Sequence, residues 1–359
     1  MIKLFQPYIS KEARDNVQRV LSGTQIAQGP EVDLFEKEFA AKFGFESWQI
    51  VTVNSGTAAL ELAYHMTFER GDHAIVPVLT CTATNVPLVR MGIDATFADI
   101  RGPRCLNLDP DDVSSKIQRN TRAVVFVHFG GNSSGLEDIE EVCSEHNLDL
   151  ICDAAQALGS SLSRKARFSA ISLQAIKSLT AGDGGILVCR DKEDAEMARK
   201  LRWFGYDREK KQKYGDCDLE IAGFKYHMND IAAAIARGNL EHWDEIQQHR
   251  EDINTVYQDA YGKAERSHNL IRGIWNPIVT MADYQAAKDM ARRADPLSTW
   301  SGFEIGQHHY RNDKYSVFRA VSGYCPNMDD LGDKYFMLPC HMGMSLEDAD
   351  KIASTLWGK

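Results

Sequence analysis

Two ionisable residues stand out because of the runs in which they lie. Asp153 opens the run DAAQALGS, and Lys177 lies in the run ISLQAIKSLTAGDGG. A lysine amine that can lose its proton can hold an aldehyde cofactor as a Schiff base and later carry a proton to and from the substrate. A buried carboxylate beside a pyridine nitrogen keeps that nitrogen protonated. The pair therefore predicts the two ends of a pyridoxal 5′-phosphate (PLP) site.

The position of Asp153 in the chain supports this interpretation. The five residues before it, 148–152, form a short and mostly apolar run of strand length. Asp153 then falls at the carboxyl end of a strand, which is the edge where α/β sheets bind their ligands. Ala154 and Ala155 leave room for a flat ring, and Gln156 is placed to hydrogen-bond a ring substituent such as the phenolic oxygen.

A candidate phosphate-binding turn lies earlier in the chain. Ser55, Gly56 and Thr57 follow a predicted strand and open a predicted helix, where backbone N–H groups and the helix dipole favour an anion. The same residue types also suit an ordinary helix N-cap. Ser172, on a predicted strand before Lys177, adds a hydroxyl that could reach the same phosphate.

Composition and charge narrow the class of protein. The 359 residues are 43% hydrophobic, enough for one large domain and a smaller one, and the net charge of −10 argues against a nucleic-acid-binding surface. No apolar run approaches the length that crosses a bilayer and no apolar signal segment precedes the first charges, so we expect a cytoplasmic protein without membrane contact. The eight cysteines are scattered and the 11 histidines are mostly dispersed, so we expect neither disulfides nor a metal site.

Strand and helix patterns alternate along much of the chain. This alternation predicts an α/β fold with a mostly parallel sheet of about seven strands. Apolar residues at helical spacing predict a helix at 31–43 that ends at Gly44. The polar stretch 207–220 is predicted to be an exposed loop. Asn229 is predicted to cap one long helix or two broken ones, and a terminal helix is predicted to begin near Ser345.

The chain is predicted to form two domains. Residues 1–245 make the large PLP-binding domain, and residues 246–359 make a smaller α+β domain. The helical region after Asn229 would connect them. A further helix is predicted at 282–293 in the smaller domain.

Four runs of the sequence occur in the order found in one known family. They are NSGTAALELA, DAAQALG, the S-x-x-x-x-K-x-x-T-x-G-D-G-G run that begins at Ser172, and GFKYHMNDIAAAIA. With these runs the chain resembles the DegT/DnrJ/EryC1/StrS sugar aminotransferases, which are PLP-dependent enzymes of fold type I, over about residues 20–250. Weaker similarity continues through HHYRND and MLPCHMGMSLEDAD. The resemblance implies a three-layer α/β fold with a mostly parallel seven-stranded sheet and a smaller C-terminal domain.

The resemblance also implies roles for the candidate residues. It assigns Lys177 to the Schiff base, Asp153 to the pyridine nitrogen and Gln156 to the phenolic oxygen. The phosphate is assigned to residues of the turn and strand described above, Gly56, Thr57 and Ser172.

A homodimer with shared active sites is implied as well. In the family, the partner subunit completes the phosphate site from the segment that matches residues 223–229. Lys225 and His227 are therefore the candidates for reaching into the partner's phosphate site. Both are also compatible with exposed loop residues before a helix that do no chemistry.

The sequence departs from the family pattern in three places. Cys81, in VPVLTCTATN, stands where members commonly carry an aromatic residue that stacks on the cofactor, so either its sulfur contacts the ring face or another residue covers the ring. The span 261–300 is shortened, which leaves substrate contacts there open. His309 and Tyr310 match substrate-facing residues, although a structural histidine fits His309 equally well. The run SSLSRKARFSA replaces a glycine-rich stretch and is expected to alter shape rather than chemistry.

Together these features predict an aminotransferase that moves an amino group from an amino acid, which we expect to be L-glutamate, to a keto-sugar carried on a nucleotide. A sugar dehydratase of the same family is disfavoured, since those members replace the Schiff-base lysine with histidine and Lys177 is present here. A keto-cyclitol substrate stays open, because loops read the ring substrate. A non-catalytic binding protein would be expected to lack Asp153 or Lys177, and a nicotinamide dehydrogenase would carry G-x-G-x-x-G after its first strands.

Overall fold

A computed structural model describes residues 1–160, 162–215, 218–263, 268–281, 302–306, 309 and 311–357. The strands in this part of the chain are β1 (Ile50–Val53), β2 (His73–Pro77), β3 (Asp94–Ala98), β4 (Ile100–Gly102), β5 (Cys105–Leu108), β6 (Thr121–Val127), β7 (Asp149–Asp153), β8 (Phe168–Ser172), β9 (Gly185–Cys189), β10 (His268–Ile271), β11 (Ile278–Met281) and β12 (Tyr335–Met337).

The helices connect and cover these strands. In chain order they are α1 (Lys11–Leu21), α2 (Pro30–Phe43), α3 (Gly56–Thr67), α4 (Thr82–Met91), α5 (Pro110–Ser115), α6 (Leu136–Glu145), α7 (Lys192–Leu201), α8 (Arg208–Tyr214), α9 (Asp230–Leu240), α10 (Trp243–Lys263), α11 (Pro326–Leu331) and α12 (Leu346–Trp357).

A seven-stranded sheet forms the centre of the fold. Its strands lie in the order β1-β9-β8-β7-β6-β2-β3. β9 is antiparallel to both of its neighbours, and the other pairings are parallel. These strands are almost wholly buried because helices cover both faces, as expected for a mostly parallel sheet. The predicted fold class is confirmed.

β7 is the middle strand of this sheet, and it ends at the candidate site. Asp153, its last residue, is paired in register with Val127 of β6 and with Ala170 of β8. The carboxyl ends of the parallel strands meet at one edge, so the segments after β6, β7 and β8 are brought together there.

A buried ion pair fixes the strand that leads into the phosphate turn. Arg202, just after α7, places Nη1 2.7 Å from Oε1 of Glu36 on α2 and donates to the backbone oxygen of Thr52 in β1 over 2.7 Å. The same carboxylate oxygen accepts from the backbone N–H and the hydroxyl of Thr52, at 3.0 and 2.8 Å. α2, α7 and β1 are therefore connected through one polar cluster.

Several helix boundaries agree with the sequence patterns. α2 ends as predicted, with Gly44 in the left-handed conformation. The Asn229 side chain accepts from the N–H of Ala232 and caps α9, and the helical region beyond it is two helices, α9 and α10. Ser345 and Asp348 exchange hydrogen bonds at the start of α12, which is a capping box.

Other sequence predictions differ from the structure. The stretch 207–220 was expected to be a loop, but its first half forms α8, because Asp207 caps the N–H of Lys210 and the residues that follow are good helix formers. The helix α1 was not predicted. The helix predicted at 282–293 lies outside the described residues.

Three strands from the last third of the described chain, β10, β11 and β12, form a smaller antiparallel sheet. This sheet shares an apolar cluster with α10 and α12, in which Tyr257 and Ile352 are fully buried. The domain boundary predicted after residue 245 falls within α10, and the division into two domains stays a prediction. Among the described residues, no helix combines the length and the hydrophobicity that spanning a membrane requires.

Candidate active site

Asp153 is buried at the end of β7, and each of its carboxylate oxygens has a donor. Oδ2 accepts from the hydroxyl of Thr84 over 2.6 Å, and Oδ1 accepts from the backbone N–H of Ala155 over 3.0 Å. Burial raises the pKa of Asp153, while these two donors and the nearby Lys177 amine oppose that rise. The site therefore stabilises a buried carboxylate, and a cationic group beside it would favour its charged form further.

Thr84, in the first turn of α4, is itself held by hydrogen bonds to residues outside that helix. Its hydroxyl oxygen lies 2.7 Å from that of Thr80, and its backbone oxygen accepts from the Tyr64 hydroxyl over 2.8 Å. Asn312, from the C-terminal part of the chain, donates to the backbone oxygen of Thr80 over 2.8 Å. The support of Asp153 thus includes residues from distant parts of the sequence.

Lys177 lies in the loop between β8 and β9, close to Asp153. Its Nζ is 4.0 Å from the centre of the Trp275 ring. Burial lowers the pKa of Lys177 to about 8, although the nearby Asp153 and Cys81 act in the opposite direction. An amine with this pKa is deprotonated far more readily near neutral pH than an ordinary lysine, as Schiff-base chemistry requires.

The candidate phosphate turn is a tight junction between α3 and the sheet. The Ser55 hydroxyl accepts from the N–H of Ala58 and caps α3, whose first-turn N–H groups have no acceptor within the helix. A Cβ on Gly56 would lie 2.9 Å from the Cβ of Ser172, and a Cβ on Gly185 would lie 2.4 Å from the Ser55 backbone. Ser55, Gly56, Thr57 and Ser172 are therefore brought together as predicted, and two glycines make this close approach possible.

Gln156 is buried just beyond β7, and its side chain is oriented by a backbone contact. Its Oε1 accepts from the N–H of Gly130 over 2.7 Å. The amide nitrogen is then the end that can donate to another group, which is what a phenolic oxygen would need. The role predicted for Gln156 is compatible with this geometry.

Lys225 and His227 lie beside the phosphate turn of their own chain. The Asn54 side chain donates to the Lys225 backbone oxygen at 3.4 Å, and the Asn54 N–H donates to the Tyr226 oxygen at 2.6 Å. The Lys225 amine lies 5.5 Å from the centre of the Phe204 ring. Nδ1 of His227 is buried without a hydrogen-bond partner among the described residues. Their proposed reach into a partner's site stays a prediction.

Cys81 lies directly before α4, at the same edge of the sheet. Burial raises the pKa of its thiol, Asp153 adds to that rise, and Lys177 opposes it. Cys81 is therefore a neutral thiol beside both ionisable residues.

His309 is brought to the site through Trp275. The two rings are roughly parallel, with centres 6.4 Å apart, and the His309 backbone oxygen accepts from the Tyr335 hydroxyl over 2.6 Å. The second predicted substrate residue, Tyr310, lies outside the described residues. The substrate-facing role of both stays a prediction.

Sequence reasoning assigned no role to three residues that the fold places here. Thr84 lies in the first turn of α4, and its sequence signal is the hydroxyl-rich run TCTATN that contains it. Trp275 lies four residues after β10, in the run RGIWNP, and its large aromatic side chain is its one distinguishing feature in the sequence. His128 comes directly after β6, and its backbone N–H donates to the backbone oxygen of Asp153 over 3.2 Å. Burial lowers the pKa of its imidazole to about 4, so it is a neutral histidine.

The residues at this edge fit PLP. A deprotonable amine lies near a buried carboxylate, and a glycine-lined helix N-terminus lies across from them at the same edge. Among the described residues, no three His, Cys, Asp or Glu side chains are grouped as a metal site would require. The fold and this set of residues define the class of PLP-dependent transferases with a mostly parallel sheet.

Comparison with known proteins gives the family. Residues 7–357 match the DegT/DnrJ/EryC1/StrS aminotransferase family, and the chain belongs to that family. It is therefore an aminotransferase whose cofactor is PLP, as the sequence predicted.

Three similar proteins illustrate the relationship. The chain is 33% identical to the dTDP-4-dehydro-2,3,6-trideoxy-D-glucose 4-aminotransferase of Saccharopolyspora spinosa, over 98% of this chain and 94% of that protein. It is 31% identical to the spore coat polysaccharide biosynthesis protein SpsC of Bacillus subtilis, over 96% and 94%. The crystal structure of AtS13 from Actinomadura melliaura superposes with a TM-score of 0.90 at 29% identity, over 99% and 98% of the two chains.

Proposed function

We propose that this aminotransferase moves an amino group from an amino acid, L-glutamate, to a nucleotide-linked keto-deoxysugar during the biosynthesis of an amino sugar. The observation that carries the proposal is the Lys177 amine beside the buried carboxylate of Asp153, in a chain of this family. The same pair supports a catalytic protein over a non-catalytic one on this scaffold.

Each proposed role follows from a described environment. Lys177 holds the cofactor and moves the proton at the donor α-carbon, because its amine loses a proton readily. Asp153 keeps the pyridine nitrogen protonated. Gln156 donates to the phenolic oxygen, since its carbonyl end is already bound to Gly130. The phosphate is held at the start of α3 and the end of β8 by Ser55, Gly56, Thr57 and Ser172.

The cofactor and the residues divide the chemistry between them. PLP, when bound, supplies an aldehyde that exchanges amines and a ring that withdraws electrons from the reacting carbon. With the cofactor held, the freed amine of Lys177 would take a proton from the donor α-carbon and give it to the reactive carbon of the cofactor in the first half-reaction. In the second half-reaction Lys177 would take that proton back and give it to the sugar carbon that was the ketone.

The relatives support a nucleotide-linked ketone as the acceptor. The Saccharopolyspora spinosa protein is named for a dTDP-linked sugar and for amination at position 4. A Campylobacter jejuni relative at 25% identity, a UDP-4-amino-4,6-dideoxy-N-acetyl-beta-L-altrosamine transaminase, is named for a UDP-linked sugar. The nucleotide therefore varies among relatives while the nucleotide-linked sugar is shared.

Further parts of the proposal concern assembly. We propose a homodimer in which Lys225 and His227 of one subunit serve the phosphate of the other, as the resemblance to the family implies. The two-domain division and a cytoplasmic location stay predictions from the sequence.

The proposal is tested first on the cofactor bond. The purified chain is loaded with PLP, reduced with borohydride and digested, and the modified peptide is identified by mass spectrometry. We expect the adduct on Lys177. An adduct on another lysine, or none, would refute the assignment.

The substrate is tested with a panel. Keto-sugars linked to dTDP, UDP and GDP, with the ketone at position 3 or 4, are offered with L-glutamate, and 2-oxoglutarate release is measured. We expect turnover with at least one nucleotide-linked 4-keto-sugar. Turnover only with a free keto-cyclitol would replace the proposed substrate class.

A further inference from the structure

Trp275 lies directly against the reactive amine. It belongs to the loop between β10 and β11, is 1% exposed, and has its ring centre 4.0 Å from Nζ of Lys177. Its indole N–H donates to the backbone oxygen of Ile176 over 3.0 Å. The indole N–H is therefore hydrogen-bonded to the residue before Lys177, while the ring face contacts the lysine amine.

The backbone of Trp275 is held at both ends. Its N–H donates to the Gly130 oxygen over 3.2 Å, and its carbonyl oxygen accepts from Nη1 of Arg250 over 2.6 Å. Gly130 also donates to Gln156, so the Trp275 loop is connected to the segment after β7. The indole position is thus set by the same segments that form the site.

Arg250 reaches this loop from inside α10. It is 5% exposed, and its Nη1 also approaches the Ile274 oxygen at 3.4 Å. Burying a guanidinium is costly unless its hydrogen bonds are kept, and burial lowers the pKa of Arg250. Two backbone oxygens of the Trp275 loop provide such bonds, which fixes the loop to the helix.

Aromatic rings pack around the indole. Phe5 stacks on Trp275 with ring centres 5.1 Å apart and an angle of 18°, and His309 lies roughly parallel to it at 6.4 Å. Phe5, from the N-terminal segment, and His309 thereby meet at Trp275. The Trp275 ring that contacts the lysine amine is thus itself enclosed, at 1% exposure.

We propose that Trp275 is a positioning residue for Lys177: its indole forms an apolar wall that keeps water from the amine and directs Nζ toward the end of β7, and Arg250 sets the place of this wall. The proposal rests on the role proposed for Lys177 and adds how that amine is prepared.

Two physical effects of the indole have opposite signs. An apolar wall disfavours the charged amine, whereas the ring face attracts a cation. The other groups that face the amine are Asp153 at the end of β7, which favours its protonated form, and the neutral thiol of Cys81. If the wall dominates, removing the indole must raise the pKa of Lys177; if cation attraction dominates, it must lower that pKa.

The test measures the amine itself in the full-length chain freed of cofactor. Labelling of Lys177 by trinitrobenzenesulfonate is followed across pH and mapped by mass spectrometry for the wild type, Trp275→Leu and Trp275→Phe. We expect Trp275→Leu to move the midpoint upward, toward that of an ordinary lysine, and to raise the limiting rate at high pH several-fold. Trp275→Phe should stay close to the wild type, because a phenyl ring keeps most of the wall.

The matched control is Trp48→Leu, since Trp48 precedes β1 at the opposite edge of the sheet and should leave Lys177 labelling unchanged. Arg250→Met should shift labelling in the same direction as Trp275→Leu; should that variant fail to fold, the Trp275 pair decides. A midpoint that is unchanged or lower in Trp275→Leu overturns the proposal. No substrate takes part, so a failure here leaves the borohydride result on Lys177 standing.

Discussion

The hydroxyl of Thr84 donates to Oδ2 of Asp153 over 2.6 Å. This hydrogen bond joins the start of α4 to the end of β7, the middle strand of the seven-stranded sheet. The other oxygen of Asp153 is bound by a backbone N–H that no side-chain substitution removes. Thr84 is therefore the adjustable part of the environment that keeps this carboxylate charged.

Replacing Thr84 by valine should weaken catalysis without removing the cofactor. The loss of a hydrogen bond to a charged group costs about 1.5–3 kcal/mol, which corresponds to roughly 10- to 160-fold in kcat/KM. The pKa of Asp153, already raised by burial, would rise further. Steady-state kinetics on Thr84→Val measure the loss, and Thr84→Ser should restore most of the activity. Wild-type kinetics in the valine variant would contradict the role.

Replacing Lys177 by alanine should stop turnover almost completely. Removing a general acid–base group typically costs about 10²–10⁴-fold, and here the covalent attachment is lost as well. Activity and the absorbance of the Schiff base between PLP and lysine are both measured. Lys37→Ala, at an exposed position on α2, is the control and should behave as the wild type. Substantial turnover in Lys177→Ala would exclude the proposed mechanism.

Replacing Gly56 by alanine should weaken PLP binding more than it weakens the fold. The new Cβ would lie 2.9 Å from Ser172 Cβ and 3.2 Å from its Cα, so the phosphate turn and β8 must move apart. Equilibrium titration with PLP measures the affinity. Gly262→Ala is the matched control, because nothing lies within 4 Å of its Cβ and alanine favours a helix by about 0.5–1 kcal/mol. Equal PLP affinity in both variants would refute this reading.

The ion pair of Glu36 and Arg202 should make stability depend on acid pH. Burial by itself raises the pKa of Glu36, but Arg202, Arg199 and the Thr52 N–H together bring it below its ordinary value. Because the folded-state pKa is below the unfolded-state pKa, the stabilisation is complete above the unfolded-state value and is lost as pH falls through the folded-state value.

Glu36→Gln tests this dependence. Breaking a buried pair typically costs about 3–5 kcal/mol, so the free energy of unfolding at neutral pH should fall by that amount. The difference between variant and wild type should shrink as the pH is lowered through the acid range. Urea unfolding at several pH values measures both effects, and a difference that stays constant with pH would show that Glu36 is not the titrating group.

Local signals in the sequence were enough for the central sheet. β7 and β9 are apolar runs bounded by turn residues, and α2 ends at a glycine, so each could be recognised without its neighbours. Asp153 and Lys177 were found in the same way, because each follows or precedes a recognisable strand. α8 could not be predicted in this way, because its residues REKKQKY are almost all polar and show no hydrophobic periodicity.

Contacts between distant segments could not be predicted in this way. Trp275 reaches Lys177, and Asn312 reaches Thr80, only because segments from the C-terminal part of the chain pack on the carboxyl edge of the seven-stranded sheet. Hydrophobic periodicity reports on one helix or strand at a time and does not indicate which distant segments come into contact. The residues that pack over Lys177 and Thr80 therefore follow from the folded structure and not from the sequence pattern.

The pairing of β1 with β9 has a consequence for the order of folding. Val53, which leads into the phosphate turn, is paired with Gly185, and β9 is the sole sheet neighbour of β1 in the described structure. The turn at Ser55 and Gly56 is short and local, yet its strand cannot dock until a segment far along the chain has been synthesised and has joined β8. Closing such a long loop slows folding. A nascent chain that ends before β9 can thus form the helix α3, but its phosphate turn is not yet fixed against the sheet. Binding of the cofactor is therefore a late step in folding.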